Sequence, residues 1–178
     1  MSVALHADAR DFLRLARVLD RIPMEIKARA FSSAMRRTVD QGRTRIVKRS
    51  AERVDLPQRM VRERTQAYNR GSAAAEIVMR SKWIPLYTLG ARQTRSGVTV
   101  KLRGSYKSAF IASMKSGHAG VFKRDGSARL PISEMFGPNP ANDIVNNSDV
   151  FLGVLEKVMD DVFMPRFMHE LSRLLPAG

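Results

Sequence analysis

The spacing of the apolar residues changes along this chain, and that change constrains the fold more than any other feature. Between residues 24 and 46, apolar residues recur at steps of three and four, which predicts one long amphipathic helix. Farther along, Val98, Val100 and Leu102 alternate with polar residues at the period of a strand. Glycines separate the short apolar runs, and no insert has the length of a crossover helix, so antiparallel hairpins are expected.

These patterns predict an α+β fold, with a small antiparallel β-sheet packed by the long N-terminal helix and by a C-terminal helix. We expect a single domain over 1–178, with a helical part at 1–70, sheet and loops at 71–138, and a C-terminal helical part at 139–178. The predicted helices cover 7–21, 24–52, 57–68 and 150–175. The last of these helices must be kinked or split at Pro165. The predicted strands cover 75–80, 98–103, 106–114 and 120–124, and the predicted loops 81–96 and 125–149.

Positive charge is concentrated in the first two thirds of the chain. The sequence has 31 Lys and Arg against 17 Asp and Glu, a formal net charge of +14. Residues 1–70 and 71–130 each carry +9, whereas residues 131–178 carry −4. Such a positive field makes nucleic acid the first partner to consider, and an acidic protein neighbour is the alternative.

Residues able to support catalysis do not converge anywhere in the sequence. There is no cysteine, which excludes disulfides, thiolate zinc sites and cysteine nucleophiles. His6, His118 and His169 lie in three different predicted elements, and His118 is interpreted as a hairpin-turn residue. Asp160 and Asp161 are adjacent and therefore do not face each other on a helix, and no glycine-rich phosphate loop occurs. We therefore expect no enzymatic activity, no catalytic or metal-binding residues and no cofactor.

The hydropathy of the chain indicates a protein made in the cytosol. Residues 1–10 lack an apolar stretch and include Asp8, unlike a secretory signal. No run in the sequence reaches the roughly 18 consecutive apolar residues that a membrane span needs. No membrane partner is expected.

Short blocks in the middle of the chain follow a recognisable order. They are Trp83–Leu86 (WIPL), Gly90–Thr94 (GARQT), Gly97–Val100 (GVTV), Arg129–Ile132 (RLPI) and Phe136–Pro138 (FGP). In order and spacing, these blocks resemble the minor tail protein Z family of tailed bacteriophages. The flanking predicted helices match that family only in type.

The resemblance implies a structural protein of the virion that acts late in tail assembly and has no known catalytic residues. It implies a place at the head-proximal end of the tail, where the protein completes the tube and prepares it to join the head. The implied partners are further copies in a ring, expected to be a hexamer, the neighbouring neck, tail-terminator or head-completion proteins, and genome DNA passing through the lumen. Synthesis is expected in the host cytoplasm. The alternative is a sequence-independent nucleic-acid-binding protein outside the virion.

Nine basic residues between 92 and 129 are candidates to face DNA or an acidic neighbouring ring, and a solvated outer face is the alternative. They are Arg92, Arg95, Lys101, Arg103, Lys107, Lys115, Lys123, Arg124 and Arg129. Asp125 is the only acidic residue in the same stretch. Lys101 and Arg103 are expected to share a strand face that points away from the core.

Three apolar residues of the first block are candidates for a contact between subunits. Trp83, Ile84 and Leu86 lie in a predicted loop. Apolar loop residues are often buried at contacts, so the core of the chain and a subunit interface both stay open for them.

Overall fold

The computed structural model describes Asp20, residues 22–69 and residues 75–175. Apart from Asp20, the predicted helix over 7–21 lies outside these residues. The α-helices are α1 (Met24–Arg53), α2 (Gln58–Arg62), α3 (Pro140–Asn146), α4 (Ser148–Val158) and α5 (Met164–Leu174). The strands are β1 (Thr65–Asn69), β2 (Ala75–Met79), β3 (Ala91–Thr94), β4 (Gly97–Val100), β5 (Gly104–Lys107), β6 (Ala109–Ser113), β7 (Ala119–Arg124) and β8 (Ile132–Glu134). The predicted α+β class is confirmed, and α1 matches the helix predicted over 24–52.

Contacts among the described residues group into two compact units. The first unit lies within residues 1–43, 67–77 and 153–178, and the second within 44–66 and 78–152. Helix α1 supplies residues to both units. A single domain over the whole chain stays a prediction. In the described part of the chain, no helix combines the length and the apolarity required to span a bilayer.

The first unit is held together by aromatic rings packed on small residues of α1. Ala30 and Ala34 are buried in one cluster with Phe163, Phe167 and Leu171. The rings of Phe163 and Phe167 stack with their centroids 5.5 Å apart. Because an alanine side chain occupies little volume, the rings can approach the helix closely, as dense core packing requires.

The C-terminal helix is interrupted next to Pro165, as the sequence predicts. Helix α4 ends at Val158, a π-helical turn covers Met159–Phe163, and α5 begins at Met164. Pro165 has no N–H to donate to the carbonyl one turn earlier, so a regular helix cannot continue through it unchanged. Phe163 ends the π turn, and its ring therefore belongs to the same buried cluster as rings on α5.

Two three-stranded antiparallel sheets lie in the second unit. In one sheet β4 lies between β3 and β5, and in the other β7 lies between β6 and β8. The core between these strands contains Leu86, Val98, Val100, Ala109 and Val121. A further cluster in this unit contains Val47, Ala51, Leu56, Val61 and Ile84. Strands β1 and β2 pair in a separate two-stranded sheet.

Two predicted boundaries are wrong where a strand finds its partner elsewhere in the chain. The helix predicted over 57–68 ends at Arg62, and residues 65–69 form β1, which pairs with β2. Residues 91–94, predicted as loop, form β3 and pair with β4. Strand formation depends on such pairing more than on local propensity, so local spacing alone could not reveal these strands.

Single residues with left-handed backbone divide or shorten the predicted strands. Leu102 has φ of 69°, and β4 ends two residues before it rather than continuing to residue 103. Ser108 has φ of 60° and divides the strand predicted over 106–114 into β5 and β6. Non-glycine residues adopt the left-handed conformation uncommonly, which explains why the sequence pattern did not indicate these two interruptions.

The loop predicted over 125–149 also contains regular structure, namely β8 and α3.

Gly97 is the position where a side chain is least compatible with the sheet. A Cβ atom at Gly97 would lie 2.1 Å from the carbonyl oxygen of Tyr106 on the paired strand β5. We expect Gly97→Ala to lower the free energy of unfolding by about 2–3 kcal/mol, because backbone of β4 or β5 must move. Gly126→Ala is the matched control, since no atom lies within 4 Å of a Cβ there. Urea denaturation followed by circular dichroism measures both, and equal stability of the two variants would contradict the close approach.

Candidate nucleic-acid interface

A polar row crosses the outward side of the β3–β4–β5 sheet. Val98 and Val100 of β4 are buried, so Thr99 between them points to the opposite side. Directly paired residues share a side of the sheet, and Thr99 pairs with Arg92 on β3 and with Ser105 on β5. The hydroxyl oxygens of Thr99 and Ser105 lie 3.1 Å apart, within hydrogen-bond distance.

A second row places another cation on the same side. Thr94 pairs with Gly97, which in turn pairs with Lys107, so these residues also point outward. The basic sheet face is defined as Arg92, Thr94, Thr99, Ser105 and Lys107, all of which are exposed. No Asp or Glu occurs between residues 91 and 107, so these three strands contribute only positive charge to the face. The sequence pattern does not indicate this face, because it predicts a loop over residues 91–94, where the structure has β3.

Arg103 does not lie on this face. Strand β4 ends at Val100, and the Arg103 guanidinium donates from Nη2 to the carbonyl oxygen of Asp55 at 2.9 Å and to that of Val54. Val54 and Asp55 lie in the turn after α1, so their carbonyls are not bonded within the helix and can accept from Arg103. The prediction that Lys101 and Arg103 share a strand face is therefore wrong, and Arg103 is part of the internal structure of the second unit.

The other basic candidates are exposed on several different elements. Arg95 lies in the turn between β3 and β4, Lys101 follows β4, and Lys115 lies in the turn between β6 and β7. Arg129 lies between β7 and β8. These positions surround the strands rather than forming one row.

Lys123 and Arg124 are adjacent on β7 and therefore point to opposite sides of its sheet. The Arg124 guanidinium carbon lies 5.5 Å from the centroid of the Phe110 ring, a cation–π contact. The nine basic candidates consequently do not share one surface, and only Arg92 and Lys107 are brought together on the basic sheet face.

The block that contains Trp83 is held in place by a short antiparallel contact. The N–H of Leu86 donates to the carbonyl of Met135 at 3.1 Å, and the N–H of Gly137 donates to that of Ile84 at 2.7 Å. Ile84 and Leu86 are completely buried within the chain, as core residues are, and so are not exposed for a contact with another subunit. Trp83 is 54% exposed and stays a candidate for a contact between subunits.

His118 has a partner that its position in a predicted turn did not reveal. Its Nε2 lies 3.0 Å from Oε1 of Glu134, which links the turn before β7 to β8. One imidazole and one carboxylate are too few to hold a structural metal ion. Within the described residues, no group of three His, Asp or Glu side chains is placed to bind a metal.

Comparison with known protein families identifies a match over most of the chain. The family model described as prophage minor tail protein Z matches residues 14–176. No curated protein and no solved structure gives a significant match to the chain.

The internal role of Arg103 can be tested through stability. Arg103→Ala removes a charged donor from two carbonyls, and we expect the free energy of unfolding to fall by about 1.5–3 kcal/mol. Lys101→Ala is the matched control, because it removes a neighbouring exposed cation, and we expect a change below about 0.5 kcal/mol. Thermal and urea denaturation measure both variants. An Arg103→Ala variant with the wild-type free energy of unfolding would contradict this internal role of Arg103.

Proposed function

This chain belongs to the prophage minor tail protein Z family, and from that membership we propose that it is a non-enzymatic structural protein at the head-proximal end of a phage tail. The family match carries the proposal, because it extends over residues 14–176 and therefore includes both compact units. In this proposal the protein completes the tail tube and prepares it to join the head. Its partners are the neighbouring neck, tail-terminator or head-completion proteins.

Several copies form a ring around the tail lumen in this proposal, with a hexamer as the expected state. Closed cyclic symmetry is the common solution for soluble homo-oligomers, and a tubular tail presents a ring-shaped end. The exposed Trp83 supports a contact between subunits, since an indole that is 54% exposed is a large apolar group to leave in water.

The basic sheet face is proposed to line the path of the genome. Duplex DNA carries one negative charge per roughly 1.7 Å of axis, so a wall that DNA passes benefits from a diffuse positive field. Arg92 and Lys107 supply charge, whereas Thr99 and Ser105 bond to each other. Contacts of this kind attract phosphates without reading bases. The same feature favours the alternative, a nucleic-acid-binding protein outside the virion.

A phage that lacks this protein distinguishes the structural role in the tail from nucleic-acid binding outside the virion. We expect particles from the null mutant to show filled heads beside free tails that fail to join, because the tail end is unfinished. Electron microscopy of the lysate, with the wild-type gene supplied in trans as the control, measures the fraction of joined particles. Normal joining in the null mutant would contradict the structural proposal and favour the alternative.

Charge reversal on the basic sheet face tests its contact with DNA. We expect Arg92→Glu with Lys107→Glu to weaken sequence-independent DNA binding at least tenfold at low salt, because phosphate attraction becomes repulsion. Lys48→Glu with Lys82→Glu is the control, since it changes the net charge equally at exposed positions outside this face. Fluorescence anisotropy with labelled duplexes of two unrelated sequences measures the affinity. Equal loss in both variants would show that net charge alone, rather than this face, attracts DNA.

A further inference from the structure

The N-terminal half of α1 carries a groove lined by arginine and serine side chains. The groove has a volume of about 470 Å³. The described residues that line it are Arg29, Ser32, Ser33, Arg36 and Arg37, and we name this set the arginine groove. These positions recur at steps of three and four, so they lie on one side of the helix. Ala30 and Ala34, buried in the core of the first unit, lie on another side.

The guanidinium groups of the arginine groove have no direct bonding partner among the described residues. Among these residues, no hydrogen bond or ion pair engages the guanidinium groups of Arg29, Arg36 and Arg37. Three like charges within about two turns repel one another. An anion bound in the groove would relieve this repulsion, and a guanidinium fork is suited to bidentate pairing with an oxyanion.

Carboxylates at the borders of the groove favour a short anionic segment over a DNA duplex. Glu25 lies one turn before Arg29, and Asp40 lies one turn after Arg36, on the same side of α1. A duplex lying along the helix would meet both carboxylates. Glu170 adds a third, since the Ser33 hydroxyl is hydrogen-bonded to it. Arg173 donates to Glu170 at 2.7 Å, and this bond, together with that of Ser33, lowers the pKa of Glu170 and keeps it ionised.

Helix α4 carries two exposed carboxylates whose spacing matches that of two arginines in the groove. Phe151 and Val158 are buried, whereas Asp149 and Glu156 are exposed on the opposite side of the helix. Two turns, about 10.5 Å, separate Asp149 from Glu156, and the same distance separates Arg29 from Arg36.

The space between these two carboxylates carries an apolar side chain. Leu152 is 55% exposed on the same side of α4, one turn after Asp149. We name Asp149, Leu152 and Glu156 the acidic row.

We propose that the arginine groove of one copy binds the acidic row of a second copy of this chain. Arg29 and Arg36 of one copy pair with the two carboxylates of α4 that lie two turns apart in the other. The two surfaces differ, so the contact is heterologous, and a contact of this type can repeat head to tail around a closed ring. The proposal deepens the tail-end ring of the proposed function and rests on it.

The absence of cysteine from the sequence allows a direct test. Ser32→Cys places a thiol in the arginine groove, and Leu152→Cys places one in the acidic row. When the two full-length variants are mixed and oxidised at low salt, we expect the mixed disulfide dimer to exceed the random ratio at least fivefold. Ser105→Cys replaces Leu152→Cys in the control mixture, where a random ratio is expected.

Charge reversal then shows whether the proposed pairs produce the excess. Adding Arg29→Glu and Arg36→Glu to the Ser32→Cys variant should abolish the excess. Adding Asp149→Arg and Glu156→Arg to the partner variant should restore it, which also shows that the reversed chains remain folded. A random ratio with unreversed chains overturns the proposal, and so does a loss of DNA affinity in the groove variant as large as that expected for the basic sheet face.

Failure of the contact can be told apart from failure of the proposed function. A random disulfide ratio together with unjoined heads and tails in the null mutant would leave the tail-end function standing and remove only this contact. A strong disulfide excess together with normal joining in the null mutant would leave the contact standing and remove the tail-end function.

Discussion

Helix α1 is the element on which both compact units depend. It is 30 residues long and places Ala30 and Ala34 in the aromatic cluster of the first unit, and Val47 and Ala51 in a core of the second. Helices in proteins owe most of their stability to such packing rather than to intrinsic propensity. Val47 is completely buried, and burial of a valine side chain contributes roughly 1.5–3 kcal/mol, so loss of packing along this part of α1 would weaken the second unit.

The same requirement for burial decides where the charges lie. On β4, burial of Val98 and Val100 leaves Thr99 on the outward side, and strand pairing then places Arg92 beside it. On α1, burial of Ala30 leaves Arg29 outside the core. The two candidate binding surfaces therefore follow from the periodicity of a strand and of a helix, each with one side committed to a core.

The fold was predictable where the pattern is local and repeated. The long apolar stripe predicts α1 to within one residue at its C-terminus, and Pro165 predicts the break that the π turn provides. Prediction failed where distant pairing or an uncommon backbone conformation decides the structure. Nothing local indicated that residues 65–69 would pair as a strand, and the alternation of Val98, Val100 and Leu102 continues through a turn.

The candidate site was predictable in composition but not in arrangement. The charge pattern identified the basic stretch between residues 92 and 129, yet only the strand register shows that Arg92 and Lys107 share a face. Arg103 has the same charge as its neighbours, and only the turn after β4 directs it to the carbonyls that follow α1. Side-chain direction depends on register and turns, which a count of charges does not contain.

We propose above all that this minor tail protein is built into the head-proximal end of the tail. Gold labelling of an epitope-tagged copy on purified free tails, viewed by electron microscopy, tests that claim most directly. The account predicts label at one end only, opposite the tip that contacts the host. Label distributed along the tube, at the host-contacting tip, or absent from tails that contain all other structural proteins would contradict it.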